Sequence, residues 1–250
     1  MLTNTGTLLI SRRKYKSGEE MFYRTGKFFI LILLLVIFPI IWGVPDLPAA
    51  EKKPLVVIDP AHGGQDSGVK IDDKTGEKDI TLAIALLLQK ELAKNGNWEI
   101  MLTRDSDKTI SLEDRRKIIS QGKPDLLLSL HVNGGFSKGA SGFEIYYPGF
   151  LNLADQKKQV KSGVKETRDK YLKDSRKIAQ LVQKNLDTLF PRKGRGLREA
   201  ETPVLEGMDI PAVVVEIGFV TNPEERKKLL SPAGQTEIAK ALARSIKSFF

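Results

Sequence analysis

Short runs of apolar residues recur along the chain and predict the strands of a sheet. Continuous apolar runs at 55–59, 125–131 and 211–217 predict buried strands, because residues buried on both faces need no polar alternation. The run 142–147 alternates apolar and polar side chains and predicts a further strand, and 98–102 predicts a short one.

Helical patterns lie between these runs. Apolar residues recur at helical spacing in 80–92, and a second amphipathic helix is predicted at 172–190. Ser111, Asn222 and Ser231 each supply an N-cap side chain before a further helix, and proline follows the last two. Strands and helices therefore alternate. This order predicts one α/β domain with a twisted, mostly parallel central sheet flanked by helices on both faces.

The longest apolar run lies near the N-terminus, FFILILLLVIFPIIW at 28–42, and extends to residue 44. Basic residues precede this run and small residues follow it, which is the arrangement of a secretory signal. We therefore expect residues 1–50 to form a signal peptide or an uncleaved signal anchor, with translation starting at Met1 or Met21. The domain proper is then 51–250, and contact with the membrane is expected only through the apolar segment.

Composition narrows the function classes. The chain has 250 residues, 41% of them hydrophobic and 28% charged, which is typical of a globular protein. It has no cysteine, which excludes disulfides and thiolate metal sites. A net charge of +9 suits anionic surfaces, but no basic stripe with interleaved aromatic residues is present, so we expect no nucleic-acid partner. A polar stretch near 151–175 predicts an insertion or a surface helix.

The chain has two histidines, His62 and His131, and each lies at the end of a predicted buried strand. Glu216 lies late in a third strand. If these strands run parallel, their carboxyl ends meet at one edge of the sheet, where ligands bind in open α/β folds. Each residue alone is more often structural, since a glutamate at a strand end commonly forms an ion pair. Together they indicate a metal site.

A site with two histidines and no cysteine needs a carboxylate as its third ligand. The candidates are Asp59, Asp66, Glu77, Asp79 and Glu216. Glu77 lies just before the first helix, which packs back beside the first strand and returns it toward His62. Three protein ligands leave one position open for water, as in catalytic zinc sites. A further carboxylate should take the proton of that water, and Glu216 is the best-placed candidate.

Five blocks of sequence, in order, resemble the zinc-dependent N-acetylmuramoyl-L-alanine amidases of bacterial cell walls. The blocks are VVIDPAHGGQDSG, GEKDITLAIALLLQKEL, LTRDSDKTISLEDR, DLLLSLHVN and RGLREAETPVLEGMDIPAVVVEIGFVTNPEE. The resemblance extends from about Leu55 to Phe250. It implies hydrolysis of the amide that joins N-acetylmuramic acid to L-alanine of the stem peptide. The implied partner is peptidoglycan, and the implied location is extracytoplasmic, in the periplasm or cell wall.

The resemblance also implies roles for individual residues. It implies one zinc ion held by His62, Glu77 and His131, with Glu216 as the catalytic acid/base. Asn133 is a weaker candidate for positioning the substrate. Two other functions remain open: a zinc peptidase that cleaves within the stem peptide, and a non-catalytic wall-binding scaffold.

Two features of the chain differ from the simplest family members. Ala61 stands where the family usually has glycine, which requires a negative φ or some strain at that position. The polar insertion is longer than in the simplest family members. In some relatives such an insertion blocks the metal until an activator protein moves it. Glu166 is the glutamate of the insertion that could cap the zinc. The alternative is a solvated surface helix, which the many Lys and Arg residues of the insertion favour.

Overall fold

The computed structural model describes most of the predicted domain. The described residues are 52–94, 96–149, 162–190, 196–200 and 202–250. The predicted signal segment 1–50 lies outside them, as does the first part of the polar insertion, so both stay predictions. Residues Lys53–Phe250 form one compact unit. None of the helices within the described residues is both long and apolar enough to span a bilayer.

Strands and helices alternate in the described part of the chain. The strands are β1 (Leu55–Pro60), β2 (Glu99–Leu102), β3 (Leu126–Asn133), β4 (Glu144–Tyr147), β5 (Leu197–Glu199) and β6 (Ala212–Phe219). The helices are α1 (Glu77–Ala93), α2 (Leu112–Gly122), α3 (Ser162–Leu186), α4 (Pro223–Leu230) and α5 (Pro232–Phe249).

All six strands form one sheet in the order β2-β1-β3-β6-β4-β5. The pairs β1–β2, β1–β3 and β3–β6 are parallel, whereas β4 runs antiparallel to β6. The α/β class and the mostly parallel sheet are therefore confirmed. The chain leaves β1 toward β2 on one side, and β3 lies on the other side of β1. The carboxyl ends of β1 and β3 thus form the kind of crevice where open α/β sheets bind ligands.

The two faces of the sheet are covered unequally. Val56 and Ile58 of β1 belong to the larger hydrophobic core, with buried residues of α1, α3 and α5. Val57 belongs to a smaller cluster that includes Ile119 of α2 and Val204 of the segment before β6. Helices therefore lie on both faces, as predicted. One face carries α1, α3 and α5 and, through Leu229, also α4, whereas the other carries only α2 and a loop segment among the described elements.

The predicted helix starts are confirmed by their cap geometry. The Ser111 side chain accepts a hydrogen bond from the Asp114 amide, and the Asn222 side chain accepts from the first turn of α4. Ser231 accepts from Gly234 at the start of α5. Each cap satisfies an amide that the helix leaves without an internal partner.

Two predictions about elements need correction. Helix α3 begins at Ser162 and ends at Leu186, whereas its apolar pattern predicted 172–190. Its first turns are polar and carry no apolar stripe, so periodicity located only the half that packs on the sheet. Strand β5 was not predicted, because three residues are too few for a pattern. The second half of the polar insertion is consequently helical.

Candidate metal centre

His62, Glu77 and His131 are brought together at the carboxyl edge of the sheet. His62 follows β1, His131 lies in β3, and Glu77 is the first residue of α1. Each offers one ligand atom, and these atoms lie within 4.8 Å of one another. His62 Nε2 lies 3.1 Å from Glu77 Oε2, and His131 Nδ1 lies 3.1 Å from Glu77 Oε1. Of the candidate carboxylates, Glu77 is thus the one that faces both imidazoles.

The Glu77 carboxylate is held in place by hydrogen bonds, and the residue is buried, with 3% of its surface exposed. The backbone amide of Val69 donates to Oε2, and that of Val132 donates to Oε1, each at 3.0 Å. Burial alone would raise the pKa of Glu77, but hydrogen bonds from His131 and His62 outweigh it and lower the pKa to about 2. Glu77 is therefore an anion at neutral pH, as a metal ligand must be.

His62 adopts a left-handed backbone conformation with φ of 61°. This conformation is uncommon for a residue with a Cβ, although histidine is among the types that adopt it more often. Ala61 is not among the residues with positive φ, so the first of the two expected outcomes, a negative φ, holds there, and the left-handed residue is its neighbour His62. Asp66 Oδ2 lies 2.7 Å from His62 Nδ1, which leaves Nε2 facing Glu77.

The protonation of His62 reflects the same contacts. Burial lowers the pKa of its imidazole, but the hydrogen bonds and charges of Glu77 and Asp66 outweigh burial and raise the pKa to about 9. In proteins, a carboxylate on the far nitrogen commonly fixes the tautomer and orientation of a ligating histidine. Asp66 has the position for this supporting role.

Two buried arginines hold the backbone that carries His62. Arg104 donates to the carbonyls of Pro60 and Ala61, at 2.9 Å and 2.8 Å. Arg115 donates to the carbonyls of Pro60 and His62, at 2.9 Å and 2.8 Å. Three successive carbonyls are thus fixed by guanidinium groups. Neither arginine was assigned a role from the sequence, because each contact joins residues more than 40 positions apart.

Asp59 anchors this arrangement from inside the sheet. It is 1% exposed, and Arg115 Nη1 donates to its Oδ1 at 2.6 Å. The hydroxyls of Thr103 and Ser129 donate to the same carboxylate, at 2.6 Å and 2.7 Å. Asp59 is therefore fully engaged away from the metal centre. Asp79 is engaged as well, because its Oδ2 accepts the Gly76 amide at the start of α1.

Glu216 lies directly beside the cluster. It is the register partner of His131 in the adjacent parallel strand, so both side chains project from the same face of the sheet. Burial raises the pKa of Glu216 to about 7; the charges of Glu77 and Glu144 add to this, while those of His131 and His62 oppose it. A carboxyl group with a pKa near neutrality is suited to exchange protons during a reaction.

A second buried carboxylate stands next to Glu216. Glu144 of β4 is its register partner on the other side, and Tyr146 Oη, Asn133 Nδ2 and Arg198 Nη2 donate to it at 2.9 Å, 3.1 Å and 3.2 Å. Burial and the bond to Glu144 raise the pKa of Tyr146 to about 12, so its hydroxyl keeps its proton. The Asn133 amide nitrogen is committed to Glu144, and the predicted substrate contact of Asn133 stays a prediction.

A cavity of about 360 Å³ opens onto the cluster. Its wall includes His62, His131 and Glu216 together with Tyr146 of β4. Its size lies at the small end of the range typical for ligand pockets. Glu166 is not part of this group, since it lies on α3 with its side chain exposed, and its predicted role as a metal cap stays a prediction.

The three clustered residues fit a metal ion. Two imidazoles and one carboxylate are a common donor set for catalytic Zn²⁺. Ligand atoms at bond lengths of about 2.0–2.1 Å in a tetrahedral site lie roughly 3.3 Å apart. Each imidazole nitrogen lies 3.1 Å from one oxygen of the Glu77 carboxylate, and the three ligand atoms lie within 4.8 Å of one another, so small side-chain adjustments bring them to this spacing. The geometry and chemistry of the cluster therefore suit one divalent cation.

Comparison with known proteins gives a consistent result. Residues 56–248 match the family described as N-acetylmuramoyl-L-alanine amidase. The chain is 29% identical over 226 residues to N-acetylmuramoyl-L-alanine amidase AmiC of Escherichia coli O6:H1 (strain CFT073), covering 81% of this chain and 54% of that protein. The chain thus spans about half the length of that relative.

Solved structures agree with this match. The structure of N-acetylmuramoyl-L-alanine amidase from Clostridium difficile 630 has a TM-score of 0.65 at 29% identity, over 78% of this chain and 96% of that one. The CwlD amidase from Clostridioides difficile, solved in complex with the GerS lipoprotein, has a TM-score of 0.65 at 25% identity, over 78% and 98%. The family match covers most of the chain and confirms the resemblance seen in its motifs. This chain belongs to the N-acetylmuramoyl-L-alanine amidase family.

Proposed function

We propose that this chain is a zinc-dependent peptidoglycan hydrolase that cleaves the amide bond between N-acetylmuramic acid and L-alanine of the stem peptide. The observation that carries the proposal is the placement of Glu216 beside the His62–Glu77–His131 cluster on the wall of one cavity. The family match supplies the reaction class. His62, Glu77 and His131 would hold one zinc ion.

A bound zinc ion supplies a positive charge that polarises the scissile carbonyl and acidifies a water molecule. Glu77 provides the anionic ligand, and Asp66 orients His62 through Nδ1. Glu216 takes a proton from the attacking water and passes it to the nitrogen of the departing L-alanine. A nearby cation favours the ionised form of Glu216, which suits its first role as a base.

The location and partners are also part of the proposal. Residues 1–50 would export the domain across the cytoplasmic membrane, and only the apolar segment within them would contact the bilayer. The substrate partner is peptidoglycan. The CwlD amidase was solved in complex with the GerS lipoprotein, and this similarity supports a protein partner for the present chain. We propose that such a partner acts as an activator.

A digest of purified peptidoglycan by the purified chain tests the function. We expect release of intact stem peptides with free L-alanine amino termini, identified by mass spectrometry. Chelation of the metal should abolish release. Glu216→Gln should reduce release by about 10²- to 10⁴-fold while zinc content, measured by metal analysis, stays near one per chain. Glu237→Gln, a change on the exposed face of α5, serves as the matched control and should remain fully active.

Other outcomes assign the chain differently. Products cut within the stem peptide would identify a peptidase on the same metal centre. No cleavage despite bound zinc would indicate a wall-binding scaffold or a blocked site. Glu166→Gln then separates these two, because it should raise hydrolysis only if Glu166 caps the metal.

A further inference from the structure

One buried hydroxyl on the wall of the catalytic cavity has no partner. Among the buried side-chain nitrogen and oxygen atoms of the described residues, Thr202 Oγ1 is the one that has no hydrogen-bond partner. Thr202 lines the same cavity as His62, His131 and Glu216. A buried hydroxyl without a hydrogen bond costs stability, so native proteins seldom leave one unpaired.

The other polar groups of the cavity wall are already engaged. Tyr146 Oη donates to Glu144, and Arg115 donates to Asp59 and to backbone carbonyls. The two oxygens of Asp66 lie within hydrogen-bonding distance of His62 and the Gly68 amide. Apart from the metal ligands and Glu216, the Thr202 hydroxyl is the polar side-chain group on this wall, among the described residues, for which no hydrogen bond is found.

A tight turn holds the backbone of Thr202 at the cavity wall. The carbonyl of Thr202 accepts a hydrogen bond from the amide of Leu205 at 2.9 Å, which closes a tight turn. Val204 and Leu205 of this turn are buried in the smaller core cluster, together with Ile119 of α2. A threonine hydroxyl often satisfies itself on nearby backbone, but here it does not. The backbone of Thr202 is thus set before any ligand arrives, and rotation about its Cα–Cβ bond can turn the unpaired hydroxyl toward a ligand in the cavity.

The surroundings of Thr202 indicate the chemistry of the ligand. The apolar residues Ile110, Leu112, Pro203 and Val204 line the same cavity as Thr202. The guanidinium of Arg115 on this wall is already paired with Asp59. A hydroxyl can both donate and accept, and apolar neighbours accommodate methyl groups. A neutral secondary amide with a methyl substituent matches all of these features.

We propose that Thr202 is a substrate-contact residue whose hydroxyl hydrogen-bonds a neutral secondary amide of the muropeptide next to the scissile bond. This inference rests on the proposed function. Two amides flank that bond: the 2-acetamido group of the muramyl sugar and the peptide amide that follows L-alanine. Both have the same hydrogen-bonding groups and a nearby methyl, so the experiment has to separate them.

Thr202→Val removes the hydroxyl and keeps the shape of the side chain. We expect its Tm to rise by about 2–4 °C, because an unsatisfied buried hydroxyl is replaced by a methyl group. We expect kcat/KM on an intact muropeptide to fall about three- to tenfold, the value of one lost neutral hydrogen bond. Thr202→Ser keeps the hydroxyl and should remain within about twofold of wild type. Thr188→Val, at an exposed position, is the matched control.

Two altered substrates identify the amide. One carries a hydroxyl in place of the 2-acetamido group, and the other is truncated to N-acetylmuramoyl-L-alanine methyl ester. The loss caused by Thr202→Val should disappear on whichever substrate lacks the contacted amide, because the variant and the substrate then remove the same bond. A loss that persists on both substrates would overturn the proposal, as would unchanged kcat/KM on the intact one. If wild type releases no stem peptide, the proposed function itself fails, which is a separate result.

Discussion

Gly68 lies against the metal centre, and replacing it with alanine should damage metal binding in a measurable way. Its φ is +60°, and a Cβ at this position would lie 2.5 Å from Glu77 Oε2 and 2.7 Å from His62 Cδ2. Both distances are shorter than ordinary van der Waals contact. Gly68→Ala therefore has to displace two of the three ligand side chains.

The chain offers a matched control in Gly96. Gly96 has a φ of +64°, nearly the same as Gly68, but a Cβ there would meet nothing within 4 Å. Gly96→Ala should cost about 1–2 kcal/mol of unfolding free energy, the price of a left-handed alanine. Gly68→Ala introduces the same strain and adds steric overlap of about 1–3 kcal/mol, for a total loss of about 2–5 kcal/mol.

Urea unfolding of the metal-free proteins measures the stability difference, and competition with a chromophoric chelator measures zinc affinity. Gly96→Ala should bind zinc as wild type does. Gly68→Ala should bind at least about tenfold more weakly, the size of effect seen when the support of a metal ligand is lost. If both variants bind zinc equally, then Glu77 and His62 either tolerate the added methyl group or do not hold the metal, and the reasoning is refuted.

Two further predictions follow from the site. Arg115→Met should lower the free energy of unfolding by about 3–5 kcal/mol, because it leaves the buried carboxylate of Asp59 without its ion-pair partner. Adding Asp59→Asn should recover much of this stability in urea unfolding. The double variant should not recover zinc affinity, since the His62 carbonyl still lacks its donor. Equal recovery of stability and zinc affinity would argue against a role of Arg115 in holding the His62 carbonyl. The metal-free chain should lose stability as pH rises from 6.5 through about 9. Burial lowers the pKa of His62, but Glu77 and Asp66 outweigh burial and raise it to about 9. The charged imidazole therefore stabilises the fold fully below pH 6.5, and this contribution is lost as His62 deprotonates. Unfolding in chelator at several pH values measures this, and a flat profile across that range would contradict it.

Much of the fold could be predicted because its elements are defined locally. The buried strands are continuous apolar runs, and α5 places Ile238, Leu242 and Ile246 on its buried face, as the helical spacing indicates. The caps at Asn222 and Ser231 depend on neighbours within three residues. Helix α3 was misplaced for the same reason, since its polar first turns give no local signal. The sequence pattern predicted an element correctly where that element depends on residues that are near one another in the chain.

The candidate site was only partly predictable. The histidines and Glu216 could be found because parallel strands deliver their carboxyl ends to one edge. The support of the site could not be found in this way. Arg115 reaches His62 across 53 residues, and Arg104 reaches Ala61 across 43. The left-handed backbone of His62 lies in the segment that these contacts hold, and no local sequence pattern indicates it.

The register of the sheet explains why the polar and ionisable side chains of the site lie on the face that fewer helices cover. Asp59, Ser129, Val214 and Tyr146 form one row across four strands, and Asp59 and Ser129 within it are buried and hydrogen-bonded. The next row toward the carboxyl edge is His131, Glu216 and Glu144. Because side chains alternate between faces, both rows project away from the face that α1, α3 and α5 cover. The inner row fixes the strands and the loop of His62, while the outer row lies where coverage ends and a substrate can enter. A single two-residue step along each strand thus separates the groups that hold the site from the groups that we propose to react.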